Sequence, residues 1–203
     1  ANLHMYNVID NMKNKTTQFF SPVPIIDMSF ENWSENIEFA VSRKDVKVVK
    51  LLPNYHMYEI DGEKLESLIE YTSKYDIIIS IQMRVEDTRR HHLLMKVPDV
   101  DIIKILKVIS CFSKRKFIIC NGYLNDIEQV LHFLDNAYVD ISSVETQDVF
   151  HYLYDKYGLE HVLFASHSAF YYIEGNIFKL GLSGLDKDYI NKVAYENASE
   201  LGL

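Results

Sequence analysis

Apolar residues in this chain fall into short runs separated by stretches with helical spacing. Six runs rich in β-branched and aromatic residues predict strands at 18–26, 46–52, 77–82, 117–121, 137–141 and 161–166, since short apolar runs of those residue types favour extended chain. Ile77-Ile78-Ile79 and Phe117-Ile118-Ile119 are apolar throughout, as in strands covered on both faces of a parallel sheet. Between the runs, apolar residues recur with helical spacing at 34–43, 61–75, 98–110, 124–134, 146–157 and 186–201. The second segment carries Leu65, Leu68 and Ile69 on one face behind a capping Asp61. Pro98 suits the first turn of the third, and Gly158 the C′ position of the fifth.

Strand and helix thus alternate to the end of the chain, an order that gives right-handed βαβ units and a parallel sheet. With only 7 Gly and 4 Pro and no biased linker, residues 1–203 read as a single α/β domain. A doubly wound sheet and a (β/α) barrel both fit this periodicity. The formal net charge of -8 argues against nucleic acid and against an anionic membrane surface as partners. No run approaches the ~18 apolar residues of a membrane span. Two cysteines, Cys111 and Cys120, make no disulfide framework, and no charged-then-apolar leader opens the chain, so a cytoplasmic location is expected.

The last third carries a family signature. It reads Tyr138-Val139-Asp140-Ile141-Ser142-Ser143, then a helix, then Gly158 leading into Phe164-Ala165-Ser166-His167, and closes with Glu196-Asn197-Ala198. Earlier, Val48-Val49-Lys50-Leu51-Leu52-Pro53 is a strand entering a loop at proline. The pattern resembles amidohydrolase-related proteins, metal-dependent hydrolases and decarboxylases built on a TIM barrel, over about residues 18–203. The resemblance implies a (β/α) TIM-barrel-like fold of about six parallel strands alternating with helices. Eight strands make a complete barrel, so the leading strands are expected to be missing. It also implies a divalent metal such as zinc, but the usual ligands are replaced. No His-x-His pair is present, Gln82 and Asn121 stand where the family places histidines, and His167 stands in place of the family's catalytic Asp. A zinc site needs about three protein ligands and a base for its water.

Barrel chemistry sits at the C-terminal ends of strands, which selects the candidate residues. Asn54, Tyr55 and His56 follow the second strand and are suited to hydrogen-bonding a polar substrate, or to packing a loop. Gln82 ends the third strand. The polar run after it holds Arg84, a fork for a substrate carboxylate, with Arg89, Arg90, His91 and His92. Arg90 and His92 read as solvated. Asn121 points into the barrel mouth or makes a turn. Asp140, Ser142, Ser143 and Glu145 read as the cap and first turn of the next helix. His167 is the candidate base, because a neutral imidazole accepts a proton. His132, His151 and His161 read as structural, and His4 lies in a terminus expected to fray. Cys120 reads as packing.

Two functions follow. One is an amidohydrolase-like hydrolase acting on a small anionic molecule, with a carbon–carbon lyase as a variant. Arg84, Tyr55, Asn54, Gln82, Asn121 and Arg89 would bind the substrate, and His167 and His56 would be catalytic. It would work without metal or with an unusual site from His56, His91 and His167. The other is a catalytically degenerate barrel that binds a small ligand or a protein. Missing strands would leave unpaired edges, so a homo-oligomer is expected.

Overall fold

A computed structural model describes residues 1–13, 20–60 and 63–203. Its six strands are β1 (Ile25–Ile26), β2 (Val48–Leu51), β3 (Ile78–Gln82), β4 (Phe117–Cys120), β5 (Ala137–Asp140) and β6 (Val162–Leu163). They form one all-parallel sheet in chain order, β1 to β6. Consecutive parallel neighbours joined by helices are the repeat of a (β/α) barrel, and a doubly wound sheet would reverse its order. The fold is therefore TIM-barrel-like and open, as the sequence resemblance implied.

The helices are α1 (Asn2–Lys13), α2 (Trp33–Ser42), α3 (Glu63–Thr72), α4 (Ile102–Ile109), α5 (Leu124–Phe133), α6 (Val149–Tyr157), α7 (Ile173–Gly181), α8 (Lys187–Asn191) and α9 (Asn197–Glu200), with a π-helical turn at Lys192–Glu196. Alternate strand residues Val49, Leu51, Ile79, Ile81, Phe117, Ile119, Val139 and Val162 pack under this helical layer in the main core. The other set, Val48, Ile78, Ile118, Cys120, Tyr138 and Leu163, lines the inward face and is covered by Val23, Ala198 and Leu201. Burial on both faces explains the unbroken apolar runs of β3 and β4.

Several boundaries differ from the periodicity. β1 is only two residues long, since Pro22 and Pro24 lack the N–H a ladder needs. Residues 18 and 19 of that expected strand, and the expected cap Asp61, lie outside the described residues. Helix α4 begins after Asp101, whose carboxylate accepts from the Ile103 N–H at 2.9 Å, and not at Pro98. The expected last helix at 186–201 is split by the π turn, and α1 and α7 are additional. Gly158 does end α6, with φ 78°.

Both sheet edges are partly covered from within the chain. On the outer side of β1, the Asn2 amide donates to the Ile25 carbonyl at 2.8 Å and its oxygen accepts the Ile25 N–H at 3.0 Å. Helix α1 is thereby tied down, with Tyr6 buried under Arg43, so His4 lies on a packed helix rather than a frayed end. On the outer side of β6, Asn197 Nδ2 donates to the Leu159 and Val162 carbonyls at 2.6 and 2.7 Å. The Phe164 N–H donates to Val193 O at 3.1 Å. That carbonyl is released because the Asn197 N–H bonds Lys192 O instead, which accounts for the π turn. Exposed apolar residues lie elsewhere, on α7 at Ile177 and Phe178, at neighbouring Tyr172 and Leu182, and at Leu93, Leu94 and Met95.

Candidate functional site

The C-terminal ends of β3, β4 and β5 carry a buried polar network. Asn121 follows β4 in the left-handed region (φ 57°), a conformation Asn tolerates better than most residues. Its Nδ2 donates to Ser142 Oγ at 2.6 Å and Ser143 Oγ at 3.1 Å, and its Oδ1 accepts from Gln82 Nε2. Asp140 accepts from the Asn121 N–H at 3.2 Å, and from the Ser142 N–H and Oγ at 2.9 and 2.6 Å. Gln82 Nε2 also donates to Arg84 O at 2.7 Å. Ser142 and Ser143 therefore belong to this network and do not cap α6, which starts only at Val149. Ser142 spends its proton on Asp140. Ser143 only accepts, so its O–H is free to donate among the described residues.

Arg84 lies below this network with its side chain 4% exposed. Nε and Nη2 grip both oxygens of Asp99 at 3.0 Å, Nη2 reaches Asp126 at 2.9 Å, and Nη1 donates to Asn121 O at 2.6 Å. The guanidinium carbon stacks 3.5 Å from the Tyr123 ring centroid. Burial works to lower its pKa, but the bonds to Asp99 and Asp126 outweigh it and raise it. The fork expected to receive a substrate carboxylate is occupied by the protein's own carboxylates, Asp99 and Asp126, and Arg84 also holds Asn121 O just ahead of α5.

Above the network opens a cleft of about 550 Å³. Ser142, Ser143, Val144 and Glu145 form one wall, Asp87, Arg89 and Arg90 another, and Tyr171, Tyr172, Asn176 and Lys179 the third. Arg89 is pinned across it, bidentate to Asp87 at 3.0 and 2.7 Å and paired with Glu145. The bond from Arg89 holds the Asp87 carboxyl well below the usual carboxylate range. Exposed Arg90 makes no ion pair among the described residues. Burial pulls the Lys179 ammonium pKa down, opposed by the Glu145 charge. The sequence reading passed over Lys179, Asn176 and the two tyrosines, because α7 was not anticipated.

The remaining candidates stand apart. His167 has φ 49°, puts Nε2 2.7 Å from Val85 O, and packs edge-on to Tyr171 at 5.2 Å. A ring nitrogen facing a carbonyl carries the proton, so Nδ1 is its basic position. Asn54 Nδ2 donates to Pro98 O, and burial followed by the Glu86 charge raises the Tyr55 pKa, so both residues join the loops after β2 and β3. His56 Nδ1 sits 3.5 Å from Asp27, near the first two strands. His91 Nδ1 accepts from the Val97 N–H at 3.4 Å. These three histidines thus face different partners. Among the described residues no three of His, Cys, Asp or Glu gather where they could hold a metal ion. Nor does Asn121 offer a cradle, since its side-chain groups are turned on Gln82 and the serines, and Gln82 Nε2 is spent on Arg84 O and Asn121 Oδ1. The residues present do not fit the divalent metal that the barrel family implies.

No family model matches the sequence, and no curated protein matches it. Solved structures do. A 5-carboxyvanillate decarboxylase from Novosphingobium aromaticivorans, complexed with manganese and 4-hydroxy-3-methoxy-5-nitrobenzoic acid, aligns at TM-score 0.75 and 11% identity over 100% of this chain and 70% of that one. A TIM-barrel protein (Bb4693) from Bordetella bronchiseptica aligns at 0.73 and 16%, over 97% and 70%. An amidohydrolase-like protein from Staphylococcus aureus aligns at 0.70 and 14%, over 100% and 78%. The chain thus shares the barrel fold of amidohydrolase-like and decarboxylase proteins. Among the described residues no helix is long and apolar enough to cross a membrane.

Proposed function

We propose that the chain is a binding module of the amidohydrolase-like barrel class that takes a small aromatic carboxylate into the cleft above β3 and β5. The observation that carries this reading is the meeting on one cavity of two donors without acceptors among the described residues, the Arg90 guanidinium and the Ser143 O–H. Arg90 supplies a charge-assisted fork for a carboxylate, and Tyr171 and Tyr172 supply aromatic surface for its ring. The decarboxylase that shares the fold holds a substituted benzoic acid, which supports the ligand class. The misfit of the donor set favours binding over metal-dependent hydrolysis.

The test is calorimetric titration with 4-hydroxy-3-methoxy-5-nitrobenzoic acid. Saturable one-site binding is expected. Arg90→Ala should weaken it at least about tenfold, the loss of one hydrogen bond to a charged group. No binding at millimolar probe, or equal binding by Arg90→Ala and Ser143→Ala, refutes the reading.

The enzyme reading is kept by one observation, the contact of His167 with Tyr171 on the cleft wall. His167 Nδ1 would then be the base for a hydrolase or carbon–carbon lyase. Turnover of a bound aromatic acid, lost in His167→Ala, would establish it.

A further inference from the structure

We propose that Lys179 is an imine-forming amine, its Nζ condensing with the carbonyl carbon of a small aldehyde or 2-oxo acid held in the cleft by its carboxylate. The inference rests on the reading of the cleft as a small-carboxylate site and adds a covalent step to it.

The geometry begins with α7. Lys179 is half-buried on that helix and lines the same cavity as Arg90 and Ser143. Its Nζ donates to Val144 O, on the loop after β5, and to Asn176 Oδ1 at 3.2 Å, one turn back on α7. Both acceptors are neutral. A neutral amine has two N–H bonds, and these two acceptors take both, leaving the lone pair unassigned. An ammonium would have a third N–H with no acceptor and no carboxylate partner among the described residues. Glu145, the carboxylate whose charge reaches Lys179, is itself held by Arg89. Desolvation is one means by which a lysine becomes a nucleophile at neutral pH, and the burial-driven lowering of its pKa agrees in direction.

The step balances without an added oxidant or reductant. The Nζ lone pair forms a bond to the carbonyl carbon, the carbonyl oxygen takes a proton, and Nζ gives one up. The resulting carbinolamine expels its hydroxyl as water and leaves the C=N bond. Arg90 and the Ser143 O–H would hold the carboxylate, and Asn176 and Val144 would hold Nζ against the carbonyl.

The probe is 4-carboxybenzaldehyde with cyanoborohydride as the trapping reductant, on the whole chain at neutral pH, read by intact mass and peptide mapping. A single adduct on Lys179 is expected, forming about tenfold faster than adducts on exposed Lys107 and Lys187. Lys179→Arg should abolish the fast adduct. Benzoate at saturation should protect Lys179 in the unaltered protein, a measurement that does not depend on the variant folding. Adducts spread evenly over the lysines, or a fast adduct elsewhere, overturn the proposal. If benzoate binds and Lys179 is not labelled, only the imine fails. If benzoate does not bind, the carboxylate site itself fails.

Discussion

Replacing Arg84 separates two meanings of a buried arginine. Arg84→Ala removes the cation that bridges Asp99 and Asp126, a donor to Asn121 O, and the plate stacked on Tyr123. Removing one partner of a buried pair costs about 3–5 kcal/mol because the other charge is stranded. Here the lower end applies. Asp99 is 30% exposed and can turn to water, and Asp126 keeps the Tyr123 N–H at 2.9 Å. A loss of about 3 kcal/mol corresponds to a fall in Tm of roughly 6–12 °C for a domain of this size. Arg84→Lys keeps the charge but cannot fork onto Asp99 and reach Asp126 together, so it should fall between the two. Urea denaturation followed by circular dichroism gives the free energies, and titration with the aromatic acid gives the affinity of each folded variant. A variant that keeps its stability within about 1 kcal/mol and loses ligand binding would refute the reasoning. It would return Arg84 to the role its sequence position suggested, a fork for substrate.

Other outcomes follow from the same network. Asn121→Ala should be less stable than Asn121→Gly by about 1 kcal/mol, since both lose the serine bonds but only glycine is at ease at φ 57°; equal stabilities by urea titration would contradict this. Asp87 has a depressed folded pKa, so its stabilisation is complete above the unfolded carboxylate value of about 4 and is lost as pH falls below it. Tm measured from pH 5 to pH 2 should therefore fall less for Asp87→Asn than for the parent, by an amount limited to about 1 kcal/mol because Arg89 is largely exposed. Burial pushes the Cys120 thiol up to about 12 while Cys111 is exposed, so a disulfide reagent should titrate one thiol in the native protein and two in urea. Two fast-reacting thiols in the native state would contradict the burial of the inward face.

The sheet was legible in the sequence because both faces of its strands are covered. Runs such as Ile77-Ile78-Ile79 need no partner information to be seen, and each expected strand overlaps an observed one. Helix α7 was not legible for the opposite reason. Its apolar residues Ile177 and Phe178 face outward, only Asn176 and Leu180 are buried, and Gly175 and Gly181 lower its propensity. With α7 unseen, one wall of the cleft was unseen, and Lys179 with it. The polar residues at the strand ends were found by position, but their roles depended on partners far away in sequence. Arg84 meets Asp126 across 42 residues, and Asn121 meets Ser142 across 21. No local pattern separates an arginine awaiting a substrate from one already filled by the fold.

That distinction also orders the top of the sheet. A barrel site that binds a metal or reacts through it must leave lone pairs pointing at open space. At the ends of β3, β4 and β5 the reverse holds: Gln82, Asn121, Asp140 and Ser142 turn their hydrogen-bonding groups on one another, and Arg84 locks them from below. A densely hydrogen-bonded buried network is rigid and specific, and costly to disturb for the sake of a ligand. The groups left over, Arg90, the Ser143 O–H and Lys179, lie one layer higher on the cleft wall. A ligand would be recognised by this outer set, with the inner network serving as its floor.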